Sequence, residues 1–274
     1  MASYHKGLFE SPSVYDYYLL GVGDTMFDPV KRAMETARIV CRGDERRYSR
    51  FRPARFYGGI ATADCVGCCL QCIFCWSYES VARPHQSGKF HSPREVARKL
   101  TGIASKKGFR QVRISGSEPT LAKEHLLQVL DLMPKELEFI LETNGILIGY
   151  DDHYAEALAR HENLYVRVSL KGTTAQEFSR LTGANPAGFT LQLQALENLM
   201  RAVVASHAAV MVSFSSVENI DALGKRLARI ARELEEIEIE ELVFFNPGVE
   251  KRLRKAGINY RTAYRPDSIP PEQI

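Results

Sequence analysis

Five of the six cysteines fall within eleven positions, at Cys65, Cys68, Cys69, Cys72 and Cys75. In the run G-C-C-L-Q-C-I-F-C-W, Cys68, Cys72 and Cys75 have the spacing C-x3-C-x2-C. Three thiolates so spaced can wrap one face of a cubane iron–sulfur cluster, leaving the fourth iron open to another molecule. Two other arrangements use the same residues. Cys65 precedes Cys68 by C-x2-C, so Cys65, Cys68, Cys72 and Cys75 can hold zinc tetrahedrally, which would make this a non-enzymatic structural protein. Alternatively, Cys69 completes an all-protein four-thiolate cluster. Outside such a site, Cys41, Cys65 and Cys69 read as small buried apolar groups.

Composition bounds the setting of this chemistry. The chain has 274 residues, 45% of them hydrophobic and 25% charged, enough for one large core with extensions. Six cysteines are too few for a disulfide scaffold, and their crowding favours a metal site. The start M-A-S-Y-H-K lacks the apolar run of a secretion signal, and no apolar stretch is long enough to span a membrane. A reducing cytoplasm is the expected location. The net charge of +3 argues against a general nucleic-acid binder. One local exception is Arg46, Arg47, Arg50, Arg52 and Arg55, interleaved with Tyr48, Phe51, Phe56 and Tyr57. Such a mixture reads as a solvated or salt-bridged approach to the first strand, as a contact for phosphate or an acidic protein, or as a nucleic-acid-binding patch. The histidines form no metal-binding pair, and phosphate-loop, dinucleotide and nucleophile-elbow motifs are missing. No second cysteine group follows Cys75.

The elements around the cysteines alternate. A segment at Tyr15–Leu20 reads as packed onto the main body, and Asp28 and Pro29 start a helix. Strands are expected over 56–63, 111–115, 137–142, 164–170, 209–214 and 237–245. Helices are expected between them over 92–107, 123–132, 151–160, 174–181, 190–206 and 222–234. Ser92, Pro93 and Glu95 form a capping box, and Gly108 ends that helix. Six strands joined by right-handed helical crossovers predict an α/β fold, a partial (β/α)6 TIM-like barrel. The expected division is an N-terminal extension over 1–55, the barrel over 56–245, and a C-terminal extension over 246–274 with a basic helix near 250–256. The cysteine loop leaves the first strand at its C-terminal end, where loops of parallel barrels converge on ligands.

A second motif supports the first. Ser115-Gly116-Ser117-Glu118-Pro119-Thr120 follows the second strand. Together with C-x3-C-x2-C and Phe74, it resembles the G-G-E-P element of the radical S-adenosylmethionine (SAM) superfamily, with Ser117 in place of the second glycine. The resemblance covers roughly residues 56–245. It implies that Cys68, Cys72 and Cys75 bind a [4Fe–4S] cluster whose open iron takes the amino and carboxylate groups of SAM. It assigns Phe74, Gly116, Ser117 and Glu118 to the cofactor, with Glu118 facing the SAM ammonium. Thr143-Asn144-Gly145 and Ser169-Leu170-Lys171-Gly172 resemble elements of the small activating enzymes of glycyl-radical proteins, such as pyruvate formate-lyase activating enzyme. Ser169 there replaces an aspartate. By this likeness Asn144, Ser169 and Lys171 also contact SAM, and Phe178 to Gly183 extends the match. The implied activity is reductive cleavage of SAM to methionine and a 5′-deoxyadenosyl radical, which abstracts a substrate hydrogen. The implied partners are an electron donor such as flavodoxin or ferredoxin and a glycyl-radical protein, with RNA or a small metabolite as the alternative substrate.

Overall fold

The computed structural model describes residues 26–271. The expected segment at Tyr15–Leu20 lies outside the described residues. Helix α1 (Pro29–Val40) begins as its sequence demands, with the Asp28 carboxylate accepting from the Val30 and Lys31 amides. Strands β1 (Cys41–Arg42), β2 (Glu45–Ala54) and β3 (Ile60–Cys65) follow, then α2 (Tyr78–Ala82) and β4 (Lys89–His91). Helix α3 (Pro93–Lys107) carries the full capping box and stops at Gly108, which is left-handed. The chain continues through β5 (Gln111–Ser115), α4 (Lys123–Asp131), β6 (Glu138–Thr143), α5 (Ile146–Tyr150) and α6 (Asp152–Leu158). Next come β7 (Leu164–Leu170), α7 (Ala175–Thr182), α8 (Ala187–Arg201), β8 (Ser206–Met211) and α9 (Val217–Ala228). The last elements are β9 (Glu238–Glu240), β10 (Leu242–Val243), α10 (Pro247–Lys255) and β11 (Ala263–Tyr264).

Strands β3, β5, β6, β7, β8 and β9 pair in parallel in that order, giving the six-stranded partial barrel expected from the sequence. Several features differ from expectation. The first strand begins at Ile60, because Phe56–Gly58 form a short 3-10 turn before it. The arginine-rich stretch is strand β2, antiparallel to β3, not merely an approach to it. A register shift between Tyr48 and Arg50 moves the core-facing position from Tyr48 to Phe51. That break hides the period-two signal on which strand recognition depends. The expected sixth strand is split: β9 completes the parallel run, whereas β10 turns away to pair with β11. The fifth strand lies three residues earlier than expected, because Val212 and Ser215 close a turn.

The sheet has two unlike faces. Ala61, Ala63, Val112, Ile114, Phe139, Leu141, Val166, Val168, Ala208 and Val210 enter the main apolar core with the helices. The alternate positions carry charge. Arg113 donates to Thr62 and Glu142, and Arg167 to Glu238 and Glu240. Asp64 accepts from Arg50 and Arg52. Burial pushes Glu238 and Glu240 up, but the hydrogen bonds and charges of His207 and Arg167 on Glu238, and of Arg167, Lys171 and Ser169 on Glu240, hold both near about 2. A closed barrel fills this inner space with apolar side chains; here it is polar. Among the described residues no helix is long and apolar enough to cross a membrane.

One buried histidine gives the fold a measurable pH dependence. His125 Nδ1 faces the Asp44 carbonyl at 2.6 Å, and Nε2 faces Tyr48 Oη at 2.9 Å. A carbonyl only accepts, so Nδ1 carries the proton and Nε2 accepts from the tyrosine. Burial lowers the His125 pKa to about 4, with Arg46 adding to the effect and the Asp44 carbonyl opposing it. An unfolded histidine titrates near about 6.5. The unfolded chain therefore binds the extra proton between these values, and stability falls as pH drops through that window. The expected loss is about 3 kcal/mol by pH 4. Urea melts at several pH values should show this component in the wild-type chain and lack it in His125→Gln; parallel pH profiles would refute the assignment.

Candidate active site

The cysteine loop leaves β3 through Gly67, whose φ is +85°. A Cβ there would meet Thr36 Cγ2 at 2.8 Å and Val40 Cγ1 at 2.9 Å, so α1 presses directly on the loop. The loop is fixed from three further sides. Gln71 and Ile73 amides donate to the Thr182 and Leu181 carbonyls at 3.1 and 2.9 Å. Cys75 N–H closes a turn onto the Cys72 carbonyl at 2.9 Å. Arg252 of α10 donates to the carbonyls of Ile73 at 3.0 Å and Cys75 at 2.6 Å. Phe74 packs against Phe214, with ring centroids 5.5 Å apart.

Cys72 is buried and Cys68 and Cys75 are half-buried. Burial pushes the Cys72 thiol well above its ordinary range and Cys75 to about 11, while the charge of Lys171 pulls each of them back. Held as thiolates at neutral pH, these groups need added positive charge, which a metal centre supplies. Cys68 differs: the neighbouring Cys69 thiol lowers its pKa, and burial raises that of Cys69 itself. Cys68 Sγ also accepts from the Leu70 amide at 3.4 Å and from Asn144 Nδ2 at 3.5 Å. A set of three sheltered thiols, one with N–H donors, fits an iron–sulfur cluster. Among the described residues, no group of three or more His, Cys, Asp or Glu side chains is arranged to hold one metal ion. Cys65 is turned elsewhere: burial raises its thiol to about 11, opposed by Arg46 and by the Ser117 amide that bonds it.

The S-G-S-E-P turn meets the cysteine loop directly. Glu118 N–H donates to the Gly67 carbonyl at 3.1 Å. Gly116 has φ +96°, and a Cβ on it would lie 2.9 Å from Asp64 Cβ, so glycine is required there. The Ser117 hydroxyl oxygen is buried and has no hydrogen-bond partner among the described residues. The Glu118 carboxylate is fully engaged within the fold. It accepts from Thr120 N at 3.1 Å, Thr120 Oγ1 at 2.6 Å, Thr143 Oγ1 at 2.6 Å and Asn144 N at 2.8 Å. It thus staples the turn after β5 to the turn after β6.

A family profile for the radical SAM superfamily matches residues 64–227. The chain belongs to the radical SAM superfamily. Curated relatives include proteins named probable GTP 3′,8-cyclase. The one from Methanococcus vannielii is 29% identical over 119 residues, 43% of this chain and 38% of that protein. The one from Methanosarcina acetivorans is 26% identical over 158 residues, 57% of this chain and 46% of that protein. The matches thus span less than half of either cyclase. Among solved structures, Streptococcus suis SuiB bound to its precursor peptide SuiA superposes with TM-score 0.53 at 17% identity, over 75% of this chain and 48% of that one. The enzyme anSMEcpe with bound SAM gives 0.51 at 19% identity, over 64% and 49%. These likenesses are of fold. The relatives do not single out the glycyl-radical activating enzymes, so the recognised membership is that of the superfamily, whose catalytic domain the chain carries.

Within this radical SAM domain, the fold gathers the remaining candidates at the C-terminal ends of β5, β6 and β7. Lys171 Nζ donates to Ser169 Oγ and lies 4.0 Å from Glu240, while Ser169 Oγ donates to Glu240 at 2.7 Å. Gln192, absent from the sequence-derived set, ties the strand ends together. It donates to the Asn144 carbonyl at 2.6 Å and the Ser169 carbonyl at 3.0 Å, and accepts from Lys171 N at 3.1 Å. Its one sequence signal is a polar residue on the helix face of Leu196 and Leu199. Leu181 and Thr182, noted for family likeness, hold the cysteine loop by their carbonyls. The arginines between Arg46 and Arg55 do not form one surface patch. Arg46 is buried against the Glu118 carbonyl, Arg47 donates to Ser87 and Gly88, and Arg55 donates to Pro266.

Proposed function

We propose that this chain is an enzyme that cleaves SAM reductively at a [4Fe–4S] cluster held by Cys68, Cys72 and Cys75. The observation that carries the reading is the junction of the two motifs, Glu118 N–H on the carbonyl immediately before Cys68. Held by these three thiolates, a reduced cluster would supply the electron that cleaves the SAM sulfonium to methionine and a 5′-deoxyadenosyl radical, which would take a substrate hydrogen. The chain's own residues bind, orient and exclude water. Gly116 lets backbone approach closely, and the unpartnered Ser117 hydroxyl suits the methionine ammonium. The charge of Lys171 acts on all three cluster cysteines, which supports a role for it in pairing with the methionine carboxylate. Ser169 Oγ accepts from Lys171 Nζ and holds the Lys171 side chain in place. Phe74, against Phe214, shields one side of the loop from solvent.

Two substrate readings have separate support. A partner protein that receives the radical rests on the S-L-K-G and L-T-G likeness to activating enzymes. A small polar metabolite rests on the charged inner face of the sheet and on the nucleotide cyclases among the relatives. RNA has less support, because Arg46 is buried against the Glu118 carbonyl and Arg50 and Arg52 are paired with Asp64. A one-electron donor of the flavodoxin or ferredoxin class completes the set of partners.

The test is anaerobic reconstitution with iron and sulfide, followed by dithionite and SAM, with 5′-deoxyadenosine read by mass spectrometry. Product that depends on protein, iron and reductant is expected. Stoichiometric zinc without a cluster, and no product, would overturn the reading.

A further inference from the structure

Cys68 is surrounded by donors that binding a cluster does not by itself require. Asn144 is buried at the end of β6, and each of its polar atoms is engaged. Its backbone N–H donates to Glu118 at 2.8 Å and its carbonyl accepts from Gln192 at 2.6 Å. Its side-chain Oδ1 accepts from the Ile146 amide at 3.1 Å. That bond fixes the orientation of the amide group, so Nδ2 is the atom that donates toward sulfur, while Oδ1 also accepts from the Cys69 thiol at 3.7 Å. It stands 3.5 Å from Cys68 Sγ and 3.3 Å from Cys69 Sγ.

The second group comes from α1. Arg32 Nε is buried and has no hydrogen-bond partner among the described residues. One face of its guanidinium lies 4.9 Å from the Phe27 ring centroid. Burial lowers the Arg32 pKa, and the charges of Cys68, Cys69 and Glu35 oppose that fall. A sheltered guanidinium short of hydrogen-bond partners is costly unless negative charge stands beside it. The loop that α1 presses on through Gly67 carries that charge at its next residue, Cys68.

Resting on the cluster assignment above, we infer that Asn144 and Arg32 are positioning residues that set the reduction potential of the cluster through Cys68. One-electron reduction adds negative charge, part of it spread onto the thiolate sulfurs. An N–H donor on sulfur and a cation nearby favour the reduced state, so both raise the potential. Helix α1 is then a working wall of the site, although the sequence marks it only as an extension.

The test is a redox titration, followed by electron paramagnetic resonance, of the reconstituted full-length protein without SAM. Asn144→Ser keeps a short acceptor for the Ile146 amide and withdraws the donor from sulfur. Arg32→Gln removes the charge, and Arg32→Lys restores it. In each of Asn144→Ser and Arg32→Gln, the ratio of reduced to oxidised cluster at a fixed potential should fall about tenfold, a midpoint about 59 mV more negative for one electron. Arg32→Lys should return close to wild type. Unchanged midpoints with full iron and sulfide content overturn the inference, as does weaker SAM binding at an unchanged midpoint. If Asn144→Ser fails to assemble a cluster, Arg32→Gln and Arg32→Lys decide. A wild-type chain that takes up no cluster instead overturns the underlying assignment, and iron and sulfide analysis separates the two failures.

Discussion

Cys72→Ala loses [4Fe–4S] loading and SAM cleavage together, both to background. Cys72 is the buried middle member of the three, and its carbonyl accepts from the Cys75 amide in the turn that sets Cys75. Without its thiolate, the site offers two ligands where a cubane with one open iron takes three. The apo fold should survive, because the change removes one sulfur from a loop held mainly by backbone bonds to Leu181, Thr182 and Arg252. Circular dichroism of the apo variant, its iron and sulfide content, and 5′-deoxyadenosine production measure the three quantities separately. An intact cluster and SAM cleavage in Cys72→Ala would sink the assignment. Cys65→Ala is the matched control. Its thiol faces Arg46 and the Ser117 amide, so the variant should keep its cluster, whereas a zinc site built on Cys65 would lose its metal.

Glu118→Ala has the second large expected effect, and it falls on the apo protein. The carboxylate is buried and accepts four hydrogen bonds that join the turns after β5 and β6. Removing it leaves the Thr120 and Thr143 hydroxyls and two amides without their acceptor. Hydrogen bonds to a charged group contribute about 1.5–3 kcal/mol each, and buried orphaned donors add their own cost. Partial relaxation and water entry reduce the sum, so a loss of about 3 kcal/mol or more is expected in urea melts of the metal-free chain. A variant with wild-type stability and selectively weaker SAM binding would instead make Glu118 a recognition group with no stapling role.

Much of this architecture is local and therefore legible in the sequence. Asp28 with Pro29, and Ser92 with Glu95, start helices where their side chains satisfy the first amides. The strands Gln111–Ser115 and Leu164–Leu170 alternate cleanly and lie where they were expected. Strand β2 did not declare itself, because its register shift breaks the alternation and arginines fill the positions that the pattern uses. The split of the last strand was equally hidden, since the choice between β9 and β10 depends on pairing with Ala263–Tyr264, twenty residues further along.

The same division runs through the site. Sequence by itself marked the proposed ligand set, because C-x3-C-x2-C is a local spacing and a short loop can bring its own members together. It also determined the six-strand rhythm and the place of S-G-S-E-P one strand later. Tertiary structure alone decided what surrounds those residues. It turned the Glu118 carboxylate into a staple, directed Asn144 Nδ2 at sulfur, and brought Gln192, Glu240 and Arg252 to the site from distant elements. The physical reason is separation along the chain. A side chain's partner in a neighbouring strand or a crossing helix leaves no periodic trace in sequence, so its chemistry is set only when the sheet and helices are packed.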